Sequence, residues 1–168
     1  ERRQISRYFV HYCFRFFIQM MRFLGIFKLK INQLENLKNA DGVILIANHP
    51  TLIDIVILIS IIKNADCIVK GSLSSNPFIM GVIRSTGYIS NANPDSLLHE
   101  CQQSLQRKQV LVIFPEGSRT VPASTINFQR GAANIAIRCN ANFLPTTINC
   151  SSPFLIKNQK WYNVPTTR

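Results

Sequence analysis

Short apolar runs alternate with longer amphipathic stretches over most of this chain. The apolar runs, rich in Val, Ile, Leu and Phe, are residues 43–47, 67–70, 87–90, 110–114 and 143–149. The amphipathic stretches between them are residues 52–63, 77–85, 94–107 and 129–139. Strands that alternate with helices predict an α/β fold with a mostly parallel central sheet flanked by helices. Asn-Pro pairs at positions 76–77 and 93–94 mark two helix starts, because Asn caps a helix and Pro suits its first turn.

The first segment, residues 3–27, has a different pattern. Its polar residues recur every three or four positions, as on one side of a helix: Arg3, Arg7, His11, Arg15, Gln19 and Arg22. The remaining positions are mostly apolar and aromatic, while charges interrupt every window long enough for a membrane span. This pattern predicts an amphipathic helix in a membrane interface, with arginines near lipid phosphates. A core helix packed on the domain is the alternative, and one helix can do both.

These patterns divide the chain into a membrane-associating helix, residues 1–30, and one α/β domain, residues 31–168. The sequence has no initiating Met and stops abruptly, so we expect the domain to be truncated at its C-terminus. A loop at residues 121–127 is expected to be flexible and to lie beside the site described below.

The net charge of +11 indicates an anionic partner. Residues 1–30 hold seven basic residues against one acidic residue, so more than half of this charge is on the Phe-rich helix. Nucleic-acid binding is disfavoured, because the basic residues do not accompany an aromatic sheet surface. A membrane surface with anionic lipids is the preferred partner.

The five cysteines are scattered, without a CxxC pair or a Cys/His cluster. They predict neither a zinc site nor a disulfide framework. Four of them lie in apolar or helical contexts typical of core residues. A membrane-associated location on the cytoplasmic face, where thiols stay reduced, fits this usage.

His49 and Asp54 follow the first apolar run of the predicted sheet. Histidine suits general-base chemistry near neutral pH, and a carboxylate can fix its tautomer. In one continuous helix residues five apart diverge by about 140°, so the pair can meet only if Pro50 and Thr51 break the helix. Alternatively, Thr51-Leu52-Ile53-Asp54 resembles a capping box, in which Asp54 serves only the helix start.

A second candidate, Glu116-Gly117-Ser118-Arg119, follows the apolar run at 110–114. Its composition also fits a plain surface turn. In the functional interpretation, Gly117 permits close backbone approach, Arg119 binds a phosphate through two hydrogen bonds, and Glu116 binds acceptor hydroxyls or orients the Arg. Because ligands gather beyond the carboxyl ends of parallel strands, we expect His49 and Glu116 at the same edge. No GxSxG motif is present, so Ser118 is a poor candidate for a covalent nucleophile.

Further cations are weaker candidates for phosphate ligands. Lys70 ends a predicted strand, Arg84 lies in a predicted helix, and Arg130-Gly131 opens a helix whose N-terminus can bind an anion. Solvated surface charge is the alternative for each. His11 and His99 have no partner pattern, so interface and surface roles are expected for them.

In combination these motifs resemble the glycerolipid acyltransferase family, which includes 1-acyl-glycerol-3-phosphate acyltransferases. The resemblance covers roughly residues 40–150 and rests on four segments in order: Asn48-His49 with Asp54, Phe114 to Thr120, Phe128 to Gly131, and Leu144-Pro145. It implies that residues 31–168 form an acyltransferase domain with His49 as the base and Asp54 as its partner. Glu116, Gly117 and Arg119 would bind the acceptor, and Gly131 and Pro145 would shape the acyl pocket and the site wall. The implied reaction passes an acyl chain from acyl-CoA or acyl carrier protein to a lysophospholipid hydroxyl, with no cofactor and no acyl-enzyme.

One position departs from the family pattern. Members with glycerol phosphate acceptors commonly carry an Arg just after the strand near Gly87, where this chain has Asn91. The phosphate ligand is then missing or comes from Arg84 or Lys70. A family branch in specialised lipid or polyene biosynthesis, with a carrier-protein donor, is an alternative, as is a non-catalytic basic membrane-binding module.

Overall fold

The computed structural model describes residues 2–71, 77–121, 127–151 and 155. Within them, five parallel strands form one sheet in the order β3-β2-β4-β1-β5. The elements in chain order are α1 (Arg2–Phe23), α2 (Leu34–Lys38), β1 (Ile44–Ala47), α3 (Asp54–Ile61), β2 (Ala65–Val69), α4 (Pro77–Thr86), β3 (Ile89–Ser90), α5 (Pro94–Gln106), β4 (Val110–Ile113), α6 (Gly131–Cys139) and β5 (Phe143–Thr146).

The predicted α/β class, the parallel sheet and the order of its elements are confirmed. Two helices begin at Pro77 and Pro94, as the Asn-Pro pairs predict. The strand at 143–149 is shorter than predicted and ends at Thr146, and α2 was not predicted. α2 has only five residues, too few for a periodic signal, and it has no side-chain cap. Of the loop expected at 121–127, residues 122–126 lie outside the described residues.

The sheet has a hydrophobic core on each face because its central strands alternate their side chains. Leu45, Val110 and Val112 point into a core shared with α1 and α3, which includes Leu58 and Ile62. The intervening strand residues point the other way, into a core closed by α5 and α6: Ile44, Leu111 and Ile113 with Cys101, Leu105, Ile135 and Ala136. β4 is buried over its whole length, as expected for a central parallel strand.

α1 ends in a glycine turn. Gly25 adopts a φ of 70°, and its amide donates to the Arg22 carbonyl at 3.0 Å, while the Ile26 amide donates to the Met21 carbonyl at 3.0 Å. This pair of bonds is the Schellman motif, in which a residue with positive φ satisfies the last carbonyls of a helix. The sequence reaches its first glycine here, so α1 is 22 residues long.

The orientation of α1 corrects the prediction for its basic stripe. Arg7 and His11, the middle of that stripe, are buried against the domain, 8% and 4% exposed. The other members of the stripe are exposed: Arg3, Arg15, Gln19 and Arg22. Arg7 therefore does not lie near lipid phosphates, and the face that packs on the protein joins Arg7 and His11 to Val10 and Ile18.

Arg7 is buried among hydrogen-bond acceptors that bind two of its three guanidinium nitrogens. Its Nε donates to the Thr86 carbonyl at 2.7 Å, and one terminal nitrogen donates to Asp66 Oδ2 at 3.0 Å and to the Gly87 carbonyl at 3.2 Å. The Ser104 hydroxyl also donates to Asp66 Oδ2, at 2.8 Å. Burial raises the pKa of the Asp66 carboxyl, against the opposing effect of the Arg7 charge and the hydrogen bonds it accepts. The ion pair therefore ties α1 to β2, to α5 and to the end of α4.

His11 makes a second polar contact between α1 and the domain. Its Nδ1 lies 2.7 Å from the Ile59 carbonyl in α3, so it donates a hydrogen bond there. His99, by contrast, is exposed on α5 and contacts Gln103 at 2.8 Å, which confirms the expected surface role.

The cysteines only partly follow the prediction of core positions. Cys67 and Cys101 are buried, Cys139 and Cys150 are half-buried, and Cys13 is exposed on α1. Burial raises the pKa of Cys101 to about 12, and that of Cys67 still further, so these two thiols stay protonated at neutral pH. In the described part of the chain, no helix combines the length and the hydropathy needed to cross a bilayer.

We expect Arg7→Met and Asp66→Asn each to lower the free energy of unfolding by about 3–5 kcal/mol, because each leaves a buried charged or polar partner uncompensated. The double variant should lose less than the sum of the two single losses. Urea denaturation at pH 7 measures this, with Arg15→Met, an exposed arginine of the same helix, as the matched control. Additive losses would show that the pair is not coupled.

Candidate active site

The parallel pairing of β1 with β4 places two loops side by side. Ile46 and Ile113 are paired across the sheet, and His49 and Glu116 each follow three residues later. The two residues therefore lie at the same carboxyl edge, and the His49 amide donates to Glu116 Oε1 at 3.1 Å. This is the juxtaposition that the sequence predicts.

His49 and Asp54 form a hydrogen-bonded pair across the short loop between β1 and α3. His49 Nδ1 lies 2.9 Å from Asp54 Oδ2. The Asp54 side chain is 2% exposed and that of His49 is 16% exposed. No continuous helix joins the two residues, as their contact requires. His49 lies on the loop, and Asp54 is the first residue of α3.

Asp54 also binds the loop that precedes the helix. Its Oδ2 accepts the Thr51 amide at 2.7 Å, and its Oδ1 accepts the Thr51 hydroxyl. Among the described residues only one half of a capping box is present, because Thr51 accepts no amide in return and the N-cap residue Ile53 makes no side-chain cap bond. The same bonds fix the carboxylate that faces the imidazole.

The imidazole of His49 is held in one orientation. Phe114 stacks on it with ring centroids 4.0 Å apart and an angle of 15° between the planes. Because a carboxylate occupies Nδ1, that nitrogen carries the hydrogen and Nε2 has the free lone pair. Nε2 is thus the atom that can accept a proton from a bound hydroxyl.

The turn after β4 is tight. The Gly117 amide donates to the Phe114 carbonyl at 3.0 Å, with a φ of 67° at Gly117. The Gln129 amide donates to the Pro115 carbonyl at 2.7 Å, which brings the segment before α6 against the turn. A Cβ on Gly117 would lie 2.6 Å from Nε2 of the exposed Gln129 side chain, which would have to move, so the turn favours glycine mainly for its conformation.

Glu116 and Thr120 both contact the backbone of His49. Thr120 donates its amide to the His49 carbonyl at 2.7 Å and its hydroxyl to Glu116 Oε1 at 2.8 Å. On the other side, the Asn48 side chain binds both backbone groups of Ile148, at 2.8 and 2.7 Å. Nothing in the sequence indicated a role for Asn48 or Thr120 beyond a position within or beside the motifs, and Thr51 was expected only to break or cap the helix.

The remaining predicted phosphate ligands do not lie together in one place. Arg119 donates to the Leu155 carbonyl at 2.8 Å, and Ser118 is exposed beside it. Lys70 is exposed after β2, on the far side of β4 from His49. Arg84 is exposed in the last turn of α4, and Arg130 and Gly131 are exposed at the start of α6. As phosphate ligands these residues stay predictions.

Asn91, which replaces the expected arginine, is engaged in the sheet edge. Its Oδ1 accepts the Gly71 amide at 2.8 Å, and its own amide donates to the Val69 carbonyl at 3.0 Å. A Cβ on Gly71 would lie 2.7 Å from the Ala92 Cβ, so the two loop ends are in close contact. Asn91 thus joins the ends of β2 and β3.

A cavity of about 430 Å³ with a mixed lining extends from Asp54 along the α3 side of the sheet. Its apolar wall includes Ile31, Leu37, Ile57, Leu58, Leu144 and Ile148, and its polar wall includes Lys30, Asn32, Gln33, Asn36, Thr147 and Asn149. Pro145 lines it as well, whereas Gly131 begins α6 on the opposite face of the sheet.

The comparison with known families agrees with this geometry. The model of the acyltransferase family matches residues 28–149. The chain belongs to the acyltransferase family. The match begins after α1 and includes both motif loops, with His49, Asp54 and the Glu116–Thr120 turn.

Named relatives of this chain are 1-acyl-sn-glycerol-3-phosphate acyltransferases. The chloroplastic enzyme of Arabidopsis thaliana is 27% identical over 128 residues, covering 73% of this chain and 36% of that protein. The enzyme of Borreliella burgdorferi is 29% identical over 148 residues, covering 84% of this chain and 59% of that protein. The chain thus spans between about a third and three-fifths of the length of these relatives.

The fold is shared with a solved structure. The crystal structure of the 1-acyl-sn-glycerophosphate acyltransferase PlsC from Thermotoga maritima superposes with a TM-score of 0.55 at 18% identity. The match covers 99% of this chain and 77% of that one.

We expect Gly117→Ala to lower the free energy of unfolding by about 1–2 kcal/mol or more, because alanine is strained at positive φ. The exposed Gln129 side chain can move away from the new Cβ, so Gly117→Ala combined with Gln129→Ala should recover only a small part of the loss. Thermal unfolding of the three variants measures this. An unchanged melting temperature in Gly117→Ala would contradict the conformation of the turn.

Proposed function

We propose that this chain is the catalytic part of a membrane-associated O-acyltransferase. It moves an acyl chain from acyl-CoA or acyl carrier protein to a hydroxyl of a lysophospholipid such as 1-acyl-glycerol-3-phosphate. The observation that carries the proposal is the His49–Asp54 pair beside the Glu116–Thr120 turn at the carboxyl edge of the sheet. Family membership and the names of the relatives support it.

In the proposed mechanism His49 is the general base. Nε2 takes the proton of the acceptor hydroxyl as its oxygen attacks the thioester carbonyl. The tetrahedral intermediate collapses with cleavage of the carbon–sulfur bond, and the imidazolium returns the proton to the thiolate. Asp54 stabilises the imidazolium through Nδ1. The products are an ester and a free thiol, without an acyl-enzyme.

We assign acceptor binding to the turn after β4. Arg119 uses one guanidinium nitrogen on the Leu155 carbonyl, and its other donors suit a phosphate. Ser118 and Gly117 contribute polar groups at the exposed tip of the turn. Lys70, Arg84 and Arg130 are further candidates for long-range attraction of the anionic acceptor and donor.

We assign the acyl chain to the cavity beside Asp54. One wall is aliphatic, with Ile57, Leu58, Leu144 and Ile148, and suits a hydrocarbon, and the cavity begins at Asp54 of the catalytic pair. Pro145 would form part of its wall.

Asn91 favours a second candidate acceptor. Its side-chain oxygen is bonded to the Gly71 amide, and a neutral amide provides no charge for a phosphate. An acceptor of a specialised lipid or polyene pathway, with a carrier-protein donor, fits this position better than lysophosphatidic acid does.

We infer that α1 attaches the protein to the membrane surface through its aromatic side. A row of exposed apolar residues runs along the helix at intervals of three and four: Ile5, Phe9, Tyr12, Phe16, Met20 and Phe23. Such a continuous exposed apolar face is unusual on a soluble monomer and suits the interfacial region of a bilayer. The exposed cations Arg15, Arg22 and Lys28 can contact anionic headgroups.

We expect His49→Asn to lower the rate of acyl transfer by about 10²–10⁴-fold, since asparagine can still bond to Asp54 but lacks Nε2. Release of thiol from acyl-CoA and from acyl carrier protein, with a panel of lysophospholipids and other alcohols, measures the rate. His99→Asn is the control. This histidine is exposed in the middle of α5, and the variant should transfer acyl chains at the wild-type rate. Turnover near wild type in His49→Asn would refute the mechanism.

We expect Phe9→Ser combined with Phe16→Ser to weaken binding to phospholipid vesicles at least tenfold, because the two exposed rings would no longer enter the interface. Co-sedimentation measures the binding. Ile137→Ser removes an apolar side chain that is 79% exposed on α6 and should leave binding unchanged. An equal loss of vesicle binding in the Phe9/Phe16 double variant and in Ile137→Ser would contradict a specific role of α1 and indicate non-specific adhesion.

A further inference from the structure

His49 lies just beyond the end of a strand, where ordinary strand pairing has stopped. The β1–β4 ladder runs through Ile46 and Ile113, and Pro115 has no amide with which to continue it. The backbone N–H and C=O of His49 nevertheless both have partners, Glu116 Oε1 at 3.1 Å and the Thr120 amide at 2.7 Å. Side-chain and turn atoms thus replace the missing strand partner.

The opposite side of the same loop is held in a similar way. The β1–β5 ladder ends at Ala47 and Thr146. Beyond it, Asn48 Nδ2 donates to the Ile148 carbonyl at 2.8 Å, and Asn48 Oδ1 accepts the Ile148 amide at 2.7 Å. One side chain therefore makes the two bonds that a further strand residue would have made.

The carboxylate of Glu116 is itself fixed. Its Oε1 accepts both the His49 amide and the Thr120 hydroxyl, at 3.1 and 2.8 Å. Thr120 thereby contacts the His49 loop twice, directly through its amide and indirectly through its hydroxyl. This oxygen of Glu116 serves the base rather than an acceptor hydroxyl.

We propose that Glu116, Thr120 and Asn48 are positioning residues that hold the backbone of His49 between β4 and β5. The inference rests on the proposed function and deepens it. It assigns part of the motif turn to the base and leaves Arg119 and its neighbours to the acceptor. Because a misplacement of about 1 Å can cost about 10²-fold in rate, loss of these bonds acts on turnover more than on acceptor binding.

Thr120 provides the sharpest test. Thr120→Val keeps the shape and the amide but removes the hydroxyl, whereas Thr120→Ser keeps the hydroxyl. We expect kcat to fall about tenfold in Thr120→Val, with the acceptor KM within about twofold of wild type, and Thr120→Ser to recover most of it. A raised acceptor KM with unchanged kcat would overturn the proposal and place Thr120 in acceptor binding.

Variants of Glu116 distinguish the effect of its hydrogen-bonding oxygen from the effect of its negative charge. Glu116→Gln still presents an oxygen to the two donors, and Glu116→Leu does not. We expect Glu116→Gln to retain most of kcat and Glu116→Leu to lose at least as much as Thr120→Val. In the Leu background, Thr120→Val should have little further effect, since the bond it breaks is already absent. Equal loss in Gln and Leu would show that the charge, not the bond, matters.

Asn48 tests the other side of the loop. Asn48→Asp keeps the oxygen that faces the Ile148 amide but directs a second, anionic oxygen at the Ile148 carbonyl. We expect a fall in kcat of about tenfold or more with little change in acceptor KM. An acceptor KM effect alone would remove Asn48 from the proposal.

Amide hydrogen exchange by NMR gives a readout that does not depend on activity. The His49 amide should exchange faster in Thr120→Val and Glu116→Leu than in Thr120→Ser and Glu116→Gln, while core amides such as that of Val112 stay protected. Equal exchange at His49 in all four would overturn the proposal. If wild type releases no thiol with any acceptor, the proposed function fails, while this comparison still decides the positioning role.

Discussion

The parallel pairing of β1 with β4 sets the geometry on which the rest of the site depends. It places the loops of His49 and Glu116 at one edge, where the backbone of the first can bond to the side chain of the second. Asp54 then reaches His49 because α3 begins immediately after the loop. A register shift of a single residue would turn the buried side chains of either strand to the opposite face and separate these loops.

A buried ion pair has a comparable effect on the other part of the molecule. Arg7 and Asp66 need one another, because either charge alone in this environment would be strongly unfavourable. Their contact turns the Arg7 and His11 positions of α1 toward the domain and leaves the aromatic row, with Arg15 and Arg22, outside. The proposed membrane surface is therefore a consequence of a polar contact in the interior, and α1 packs on the same helix that carries Asp54.

The sequence is sufficient for the local features and insufficient for the long-range ones. Strand and helix order, the helix starts at Pro77 and Pro94, and the break between His49 and Asp54 all depend on neighbours in the chain and could be predicted. Which face of α1 packs on the domain could not be predicted. The partner of Arg7 lies 59 residues away, in a strand with no visible signal of a buried charge.

The same limit applies within the site. Glu116 was identified, but its contact with the His49 amide depends on how two loops meet, and the roles of Asn48 and Thr120 depend on backbone groups that no motif displays. Asn91 shows the converse. Its departure from the family pattern was visible in the sequence, whereas its bond to the Gly71 amide was not.

The central claim is that this site joins an acyl chain to a hydroxyl. Its most direct test is the stoichiometry of the reaction with an isotopically labelled acyl donor and a lysophospholipid in vesicles. The account predicts one labelled ester in the lipid for each thiol released, with no release when the acceptor is omitted. Thiol release without labelled ester, or release that is independent of the acceptor, would contradict it.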